Sequence, residues 1–206
     1  MKFLPAAIPG VIVIEPDVHR DLRGFFLETY HEEKYRAGGI ADVFAQDNQS
    51  RSVGGTIRGL HIQTGSHPQA KLIRVLYGEI RDVAVDVRRG SPTFLQSVSL
   101  TLSADNFLQM YIPAGFAHGF AVLSDSADIE YKCSEIYHRP SEIGILWNDP
   151  DIGVSWPISD PIVSERDRSN PRLADIFDRL PVYSERSTTG HDDEDRAAVS
   201  PLRSDL

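Results

Sequence analysis

The stretch KLIRVLYGEIRDVAVDV, Lys71–Val87, carries the reading from which the fold follows. Two β-branched runs meet at Gly78. In the second, Val83, Val85 and Val87 fall on one side of an extended chain, with Asp82, Ala84 and Asp86 on the other. Alternation of that kind has the period of a strand. From about Gly10 to about Trp156 similar runs recur: GVIVIEP, GFFLETY, DVFAQDN, QSVSLTLS, FLQMYIP, HGFAVLS, DIEYKCSEIY and IGILW, parted by Gly, Pro, Asp and Asn. About ten short strands with turn signals at regular spacing indicate an all-β closed barrel or double-sheet jelly roll, both of which deal with exposed sheet edges.

Helical spacing is confined to two flanking stretches. HEEKYRAGG, His31–Gly39, has a glycine pair to stop it, and NPRLADIFDRL, Asn170–Leu180, repeats Leu173, Ile176, Phe177 and Leu180 at helical intervals. Beyond Pro181 apolar periodicity is lost and small and acidic residues take over, too few apolar groups to offset the entropy of ordering. The expected organisation is one domain over residues 1–186 and a disordered acidic tail over 187–206.

Composition limits the partners. With 206 residues, 41% hydrophobic and 25% charged, the chain suits one compact core. Thirty acidic against 21 basic residues leave a net charge of -9, which argues against nucleic acid or an anionic membrane as the main partner. An anionic ligand must then meet a local basic pocket. The single cysteine, Cys133, excludes an internal disulfide and fits the cytoplasm. The opening MKFLPAAIPGVIVIEP is interrupted by prolines and too short to span a bilayer, so neither a signal peptide nor an anchor is read from it.

His61 in TIRGLHIQ and His118 in IPAGFAHGF each begin or follow a strand, an arrangement similar to the two histidine-bearing strands of cupins. A metal-binding cupin would place a second histidine two positions after the first, where alternate residues share a face, and that position is Gln63. Two imidazoles alone hold a transition metal weakly, so no metal site is expected. Arg23, Arg58, Lys71 and Arg74 supply cations near the histidine in an otherwise acidic chain, which suits a diphosphate. Neither GxxxxGK[ST] nor a helix-opening GxGxxG occurs, so a nucleotide would be held by side chains and by stacking on aromatics such as Phe25, Phe26, Tyr131 and Tyr137. Taken singly, each of these aromatics also reads as strand core, His61 as a satisfied core or loop histidine, and Asp167 in IVSERDRSNP as a turn acid. A carboxylate such as Asp167 would nonetheless fix the tautomer of a histidine it bonded.

Nine pieces stand together in order: IPGVIVIEP, DLRGFFLETY, FAQDNQSRS, TIRGLHIQ, AKLIRVLYGEIRDVAVDVRRGSPTF, IPAGFAHGF, YKCSEIY, ILWNDPDIGVSWP and SERD. On them the chain resembles the dTDP-4-dehydrorhamnose 3,5-epimerase family from about Ile8 to about Leu180. The resemblance implies a cupin-type jelly-roll barrel with short flanking helices. It also implies cofactor-free epimerisation of dTDP-4-dehydro-6-deoxy-D-glucose at C3 and C5 to dTDP-4-dehydro-L-rhamnose, in deoxysugar biosynthesis. By it His61 is the general base, Asp167 the acid that orients it, Tyr131 the proton donor and Lys71 the cation beside the ketone oxygen. Arg23, Glu28, Gln46, Asn48, Arg58, His118 and Glu142 would surround the nucleotide diphosphate sugar, with Phe26 and Tyr137 as walls. Arg166 stands where relatives often carry lysine, which keeps the charge and changes the shape of that contact. A homodimer is implied as well, in which strands such as GFFLETY cross over and lend Arg23 and Phe26 to the partner's site.

The chemistry asks for these residue types. In a 4-keto sugar the protons on C3 and C5 both lie beside the carbonyl, so removing either gives an enolate, and reprotonation on the opposite face inverts the centre. Imidazole, with a pKa of about 6.5, is a neutral base near pH 7, and a phenol at about 10 is a protonated acid. An ammonium stabilises the enolate oxygen more than the ketone. Three alternatives remain beside this reading. One is a relative that inverts only C3 or C5, which these residues do not separate from one that inverts both. A metal-dependent cupin is disfavoured by Gln63, and a noncatalytic nucleotide-sugar-binding cupin by the joint presence of His61, Tyr131 and Asp167.

Overall fold

Strands dominate the computed structural model, which describes residues 1–184; the expected tail from 187 lies outside the described residues. One sheet has six strands in the order β1 (Lys2–Pro5), β2 (Ile12–Glu15), β10 (Gln109–Ile112), β7 (Lys71–Tyr77), β12 (Ser126–Cys133) and β5 (Gln46–Val53). The second has five, in the order β13 (Glu142–Gly144), β6 (Ile57–Gln63), β11 (Phe116–Val122), β8 (Glu79–Asp86) and β9 (Ser97–Ser103). A separate hairpin joins β3 (Val18–Asp21) to β4 (Gly24–Leu27). Neighbouring strands in all three pair antiparallel.

The alternation that marks β8 as a strand also tells which way it faces. Ala84 and Ile80 pack with Ile73 and Val75 of β7, Phe116 and Phe120 of β11 and Ile129 of β12, so this side of the strand looks into the space between the sheets. Val83, Val85 and Val87 look the other way. They are buried all the same, in a second cluster with Leu60 and Ile62 of β6 and with Leu173, Ile176 and Leu180 from the last part of the chain. The five-stranded sheet is therefore covered on its outer face by the C-terminal segment, as a sheet apolar on both faces requires. A third cluster covers part of the six-stranded sheet: Tyr35 and Ile40 lie against Ile14, Leu72 and Tyr111.

Both helical stretches have helical turns, of different kinds. HEEKYRAGG forms α1 (Glu32–Ala37), with Glu32 and Glu33 in the first turn, Lys34 and Arg36 in the last, and Gly39 beyond it at φ 92°. The second stretch is a 3-10 turn over Leu173–Arg179 rather than an α-helix. Pro171 and Pro181 bracket it closely, and the side chains it buries, Leu173 and Ile176, are three apart, which is the 3-10 period. A further single turn, α2 (Glu165–Arg168), starts at Ser164, whose Oγ accepts the Asp167 N–H at 3.0 Å. No helix among the described residues is long and apolar enough to cross a membrane.

The covering segment should therefore be a main stabilising element. Ile176→Ala removes a buried side chain at the centre of that cover and is expected to lower unfolding free energy by about 2–4 kcal/mol in a urea titration. A loss well under 1 kcal/mol would show that the segment contributes little to holding the sheet.

Candidate active site

The polar side of each sheet converges at one end of the space between them. Cross-strand partners in a sheet share a face, so the register names the residues that line it. On the six-stranded sheet one row runs Asn48, Tyr131, Ile73 across β5, β12 and β7, and the next runs Gln46, Cys133, Lys71. On the five-stranded sheet His61 stands between Gly144 of β13 and His118 of β11, and Arg58 is opposite Phe120. Gly59 lets β6 and β11 come this close. Its φ is +125°, and an added Cβ would lie 2.6 Å from the Gly119 Cα. That is the physical meaning of the glycine in RGLH.

His61 Nε2 lies 2.7 Å from Asp167 Oδ1, and the other carboxylate oxygen accepts the Gly59 N–H at 3.3 Å. Asp167 comes from α2, 106 residues further along the chain, and is buried. Burial works to raise its carboxyl, but the His61 hydrogen bond and charge, the Gly59 N–H and Arg166 together hold it below the usual range. The carboxylate so fixed sets one nitrogen of the His61 ring and leaves the rest of the ring free for chemistry.

Across from the dyad, burial pushes the Tyr131 phenol up; Cys133 and Glu142 act the same way, and Arg58 acts against them. Burial likewise pushes the Lys71 ammonium down, against Cys133, Glu142 and Asp82. Lys71 has no ion-pair partner among the described residues. The site thus holds a histidine oriented by a carboxylate, a phenol kept protonated and an unpaired cation.

The remaining expected residues divide into two groups. Glu142 accepts from the Tyr137 hydroxyl at 2.7 Å and from Arg166; burial works to raise its carboxyl, and these two bonds, with His61 nearby, hold it low. Arg58 Nε donates to Ser52 Oγ at 2.9 Å, and Gln46 Nε2 donates to Asn48 Oδ1 at 2.9 Å. These belong to the His61 group. The other three stand apart from it in the single chain: Arg23 pairs with Asp21 inside the β3–β4 hairpin, Phe26 is 72% exposed, and Glu28 pairs with Lys34 at 2.8 Å.

One residue was missed by the sequence reading of the site. Asp82 Oδ1 lies 2.6 Å from His118 Nε2, and its other oxygen has no partner among the described residues. The signal was present, since Asp82 lies on the face of β8 opposite the valines; that this face looks into the site is a matter of tertiary packing. Gln63, at the position of a cupin's second ligand, is buried with its amide bonded to main chain. Among the described residues no group of three or more His, Cys, Asp or Glu side chains is arranged to hold a metal ion.

Two sheets closed over a polar site at one end make this a protein of the cupin-type jelly-roll class. The chain belongs to the dTDP-4-dehydrorhamnose 3,5-epimerase family, whose sequence model matches residues 5–175. It is 50% identical over 177 residues to the dTDP-4-dehydrorhamnose 3,5-epimerase of Pseudomonas aeruginosa, covering 85% of this chain and 97% of that one. The solved dTDP-6-deoxy-D-glucose-3,5-epimerase of Legionella pneumophila, in complex with dTDP-4-keto-L-rhamnose, superposes with a TM-score of 0.86 at 45% identity over 89% of this chain and 98% of that one. A 3'-monoepimerase of Streptomyces bikiniensis, solved with dTDP-quinovose, matches with a TM-score of 0.82 at 34% identity, over 89% and 93% of the two chains.

The Lys71 environment makes a prediction about stability. An ammonium whose folded pKa is depressed costs stability in full below that folded value, and the cost is relieved as pH rises from there to about 10.4, the unfolded value. Lys71→Met is therefore expected to raise the denaturation midpoint at pH 7, with the gain shrinking towards pH 10. A variant less stable than its parent at pH 7 would contradict the picture of a half-buried cation with no ion-pair partner.

Proposed function

We propose that the chain is a cofactor-free epimerase that converts dTDP-4-dehydro-6-deoxy-D-glucose to dTDP-4-dehydro-L-rhamnose by inverting C3 and C5. The observation that carries this reading is the His61–Asp167 bond of 2.7 Å on one sheet, with Tyr131 on the facing sheet and Lys71 free of ion pairs. His61 removes a proton beside the ketone and becomes imidazolium, its charge balanced by Asp167. The electron pair moves onto the ketone oxygen, where Lys71 stabilises the enolate. Tyr131 returns a proton to the carbon from the opposite face, and exchange with solvent resets both groups. Arg58, His118, Asn48 and Gln46 serve the nucleotide diphosphate sugar, with Tyr137, Glu142 and Arg166 on its other side. We place the reaction in the cytoplasm, where the one buried thiol, Cys133, stays reduced.

The working unit in this proposal is a homodimer. The hairpin exposes Phe25, Phe26 and Leu22 at the surface, and its Arg23 pairs only locally. A hairpin with two exposed phenylalanines and an arginine beside them suits a contact with a second copy that borrows Arg23 and Phe26. Mixing His61→Ala subunits with subunits carrying both Arg23→Ala and Phe26→Ala should restore up to about a quarter of wild-type turnover, because half of the sites in each mixed dimer are whole. If mixed dimers form and stay inactive, each site is built from one chain.

The division of labour is read in deuterated water with dTDP-4-keto-6-deoxyglucose as substrate. Wild type should incorporate deuterium at both C3 and C5; label at one position alone would make it a single-centre epimerase. His61→Ala should lose both exchange and inversion. Tyr131→Phe keeps the base, so exchange should outlast inversion, which is expected to fall about a hundredfold or more. Full inversion by Tyr131→Phe, or normal exchange by His61→Ala, would remove the assignment of base and acid.

A further inference from the structure

Tyr137 stands at the mouth of the site on a segment with no regular structure and little packing. It is 47% exposed and Ile136 before it 61% exposed, so apolar burial does not fix their place. Glutamine side chains do. Four successive residues each have a main-chain group bound by a glutamine amide. Gln69 Nε2 donates to the Glu135 carbonyl at 2.6 Å, and Gln63 Nε2 donates to the Ile136 carbonyl at 3.2 Å. The Tyr137 N–H donates to Gln46 Oε1 at 2.8 Å and the His138 N–H to Gln63 Oε1 at 2.8 Å.

Gln63 is the centre of this arrangement. It is 4% exposed, and its amide also donates to the His67 carbonyl at 2.8 Å, so it ties the loop after β6 to the segment after β12. The same two loops stack His67 on His138 with ring centroids 4.0 Å apart. Only one orientation of the amide works: flipped, its NH2 would meet the His138 N–H and its oxygen would meet two carbonyls. Gln46 comes from the six-stranded sheet and Gln63 from the five-stranded sheet, so the segment is pinned from both walls of the site at adjacent residues. At its tip Tyr137 bonds Glu142.

We propose that Gln63, with Gln46 and Gln69, is a positioning clasp that holds Tyr137 as a fixed wall against the bound sugar nucleotide. On this view Gln63 is the reason the strand after RGLH keeps an amide where a metal-binding cupin has an imidazole: the position serves the loop, and the amide does so without a charge that changes with pH. Gln46 acts through Tyr137 and Asn48, both of its amide groups being engaged by them. The inference rests on the proposed function for its substrate, and on the hydrogen bonds alone for the clasp.

The test is a double-mutant cycle read in two ways. Gln63→Leu keeps the volume and removes three bonds. It is expected to raise KM for dTDP-4-keto-6-deoxyglucose about tenfold or more while kcat stays within about threefold, and to add less than about twofold when Tyr137 is already alanine. A general structural defect would raise KM equally in both backgrounds, and that result would overturn the clasp. Amide hydrogen exchange supplies the second reading: the Tyr137 and His138 amides should be protected in wild type and lose protection in Gln63→Leu. Unchanged protection there, or a wild-type KM, would also overturn it. Should Gln63→Leu not fold, Gln69→Leu, at a half-buried position, carries the same comparison with a severalfold rise in KM. A wild-type chain that leaves this substrate unconverted would sink the proposed function, and the exchange measurement would still decide the clasp.

Discussion

The burial of Val83, Val85 and Val87 beneath the C-terminal segment is the constraint on which the rest of the molecule depends. A strand with one apolar and one polar face ordinarily turns its polar face to water. Here the apolar face is turned outward and covered, and the face that carries Asp82 and Asp86 is turned in, with both acids fully buried. This inversion is stable only because Leu173, Ile176 and Leu180 supply an outer layer. It leaves the space between the sheets apolar at Ile80 and Ala84 and polar where His61 and His118 stand side by side. The same segment that covers the sheet leads in from α2, so the chain that seals the outer face also delivers Asp167 to His61.

The polar end is costly ground. Asp82 Oδ2 is buried with no partner among the described residues, and Lys71 is held in a place that disfavours its charge. Neither feature helps folding. Both are intelligible if the groups face a ligand whose ketone and phosphates complete them, since preorganised dipoles and charges stabilise a transition state only when they have not already been neutralised by the protein. The structural charges nearby are treated in the opposite way. Asp86 is bonded by Arg88, Ser91 and Thr93, and although burial works to raise its carboxyl these bonds hold it low.

Most of the strands and the period of β8 were legible because alternation is local, and α1 was legible because charge and its glycine stop are local as well. The 3-10 form of Leu173–Arg179 was not, since apolar residues three and four apart fit either helix and the choice falls to the flanking prolines and the surface it covers. His61, Tyr131 and Lys71 could be singled out by residue type and by family resemblance. What sets each of them within its own sheet is cross-strand register: His61 opposite His118, Tyr131 opposite Asn48 and Ile73, and Lys71 opposite Cys133. Register depends on the whole sheet, and Asp82 escaped notice because its direction depends on which face the C-terminal segment covers.

Gln63 shows how little of a position's work residue type alone conveys. Its amide in place of imidazole removes a ligand, and that much follows from residue type. Its three bonds to His67, Ile136 and His138 follow from the path of two loops that no periodicity describes. A segment with exposed side chains has little hydrophobic energy with which to choose one conformation, so its order must come from hydrogen bonds in places shielded from water. Glutamine suits that task better than a charged residue, because it donates and accepts at once and carries no desolvation cost of a full charge. The main chain of the wall is thus tied to the sheets by neutral groups, with Glu142 bonded to it only at the Tyr137 hydroxyl, which leaves Lys71, Arg58 and the His61–Asp167 pair to meet the ligand.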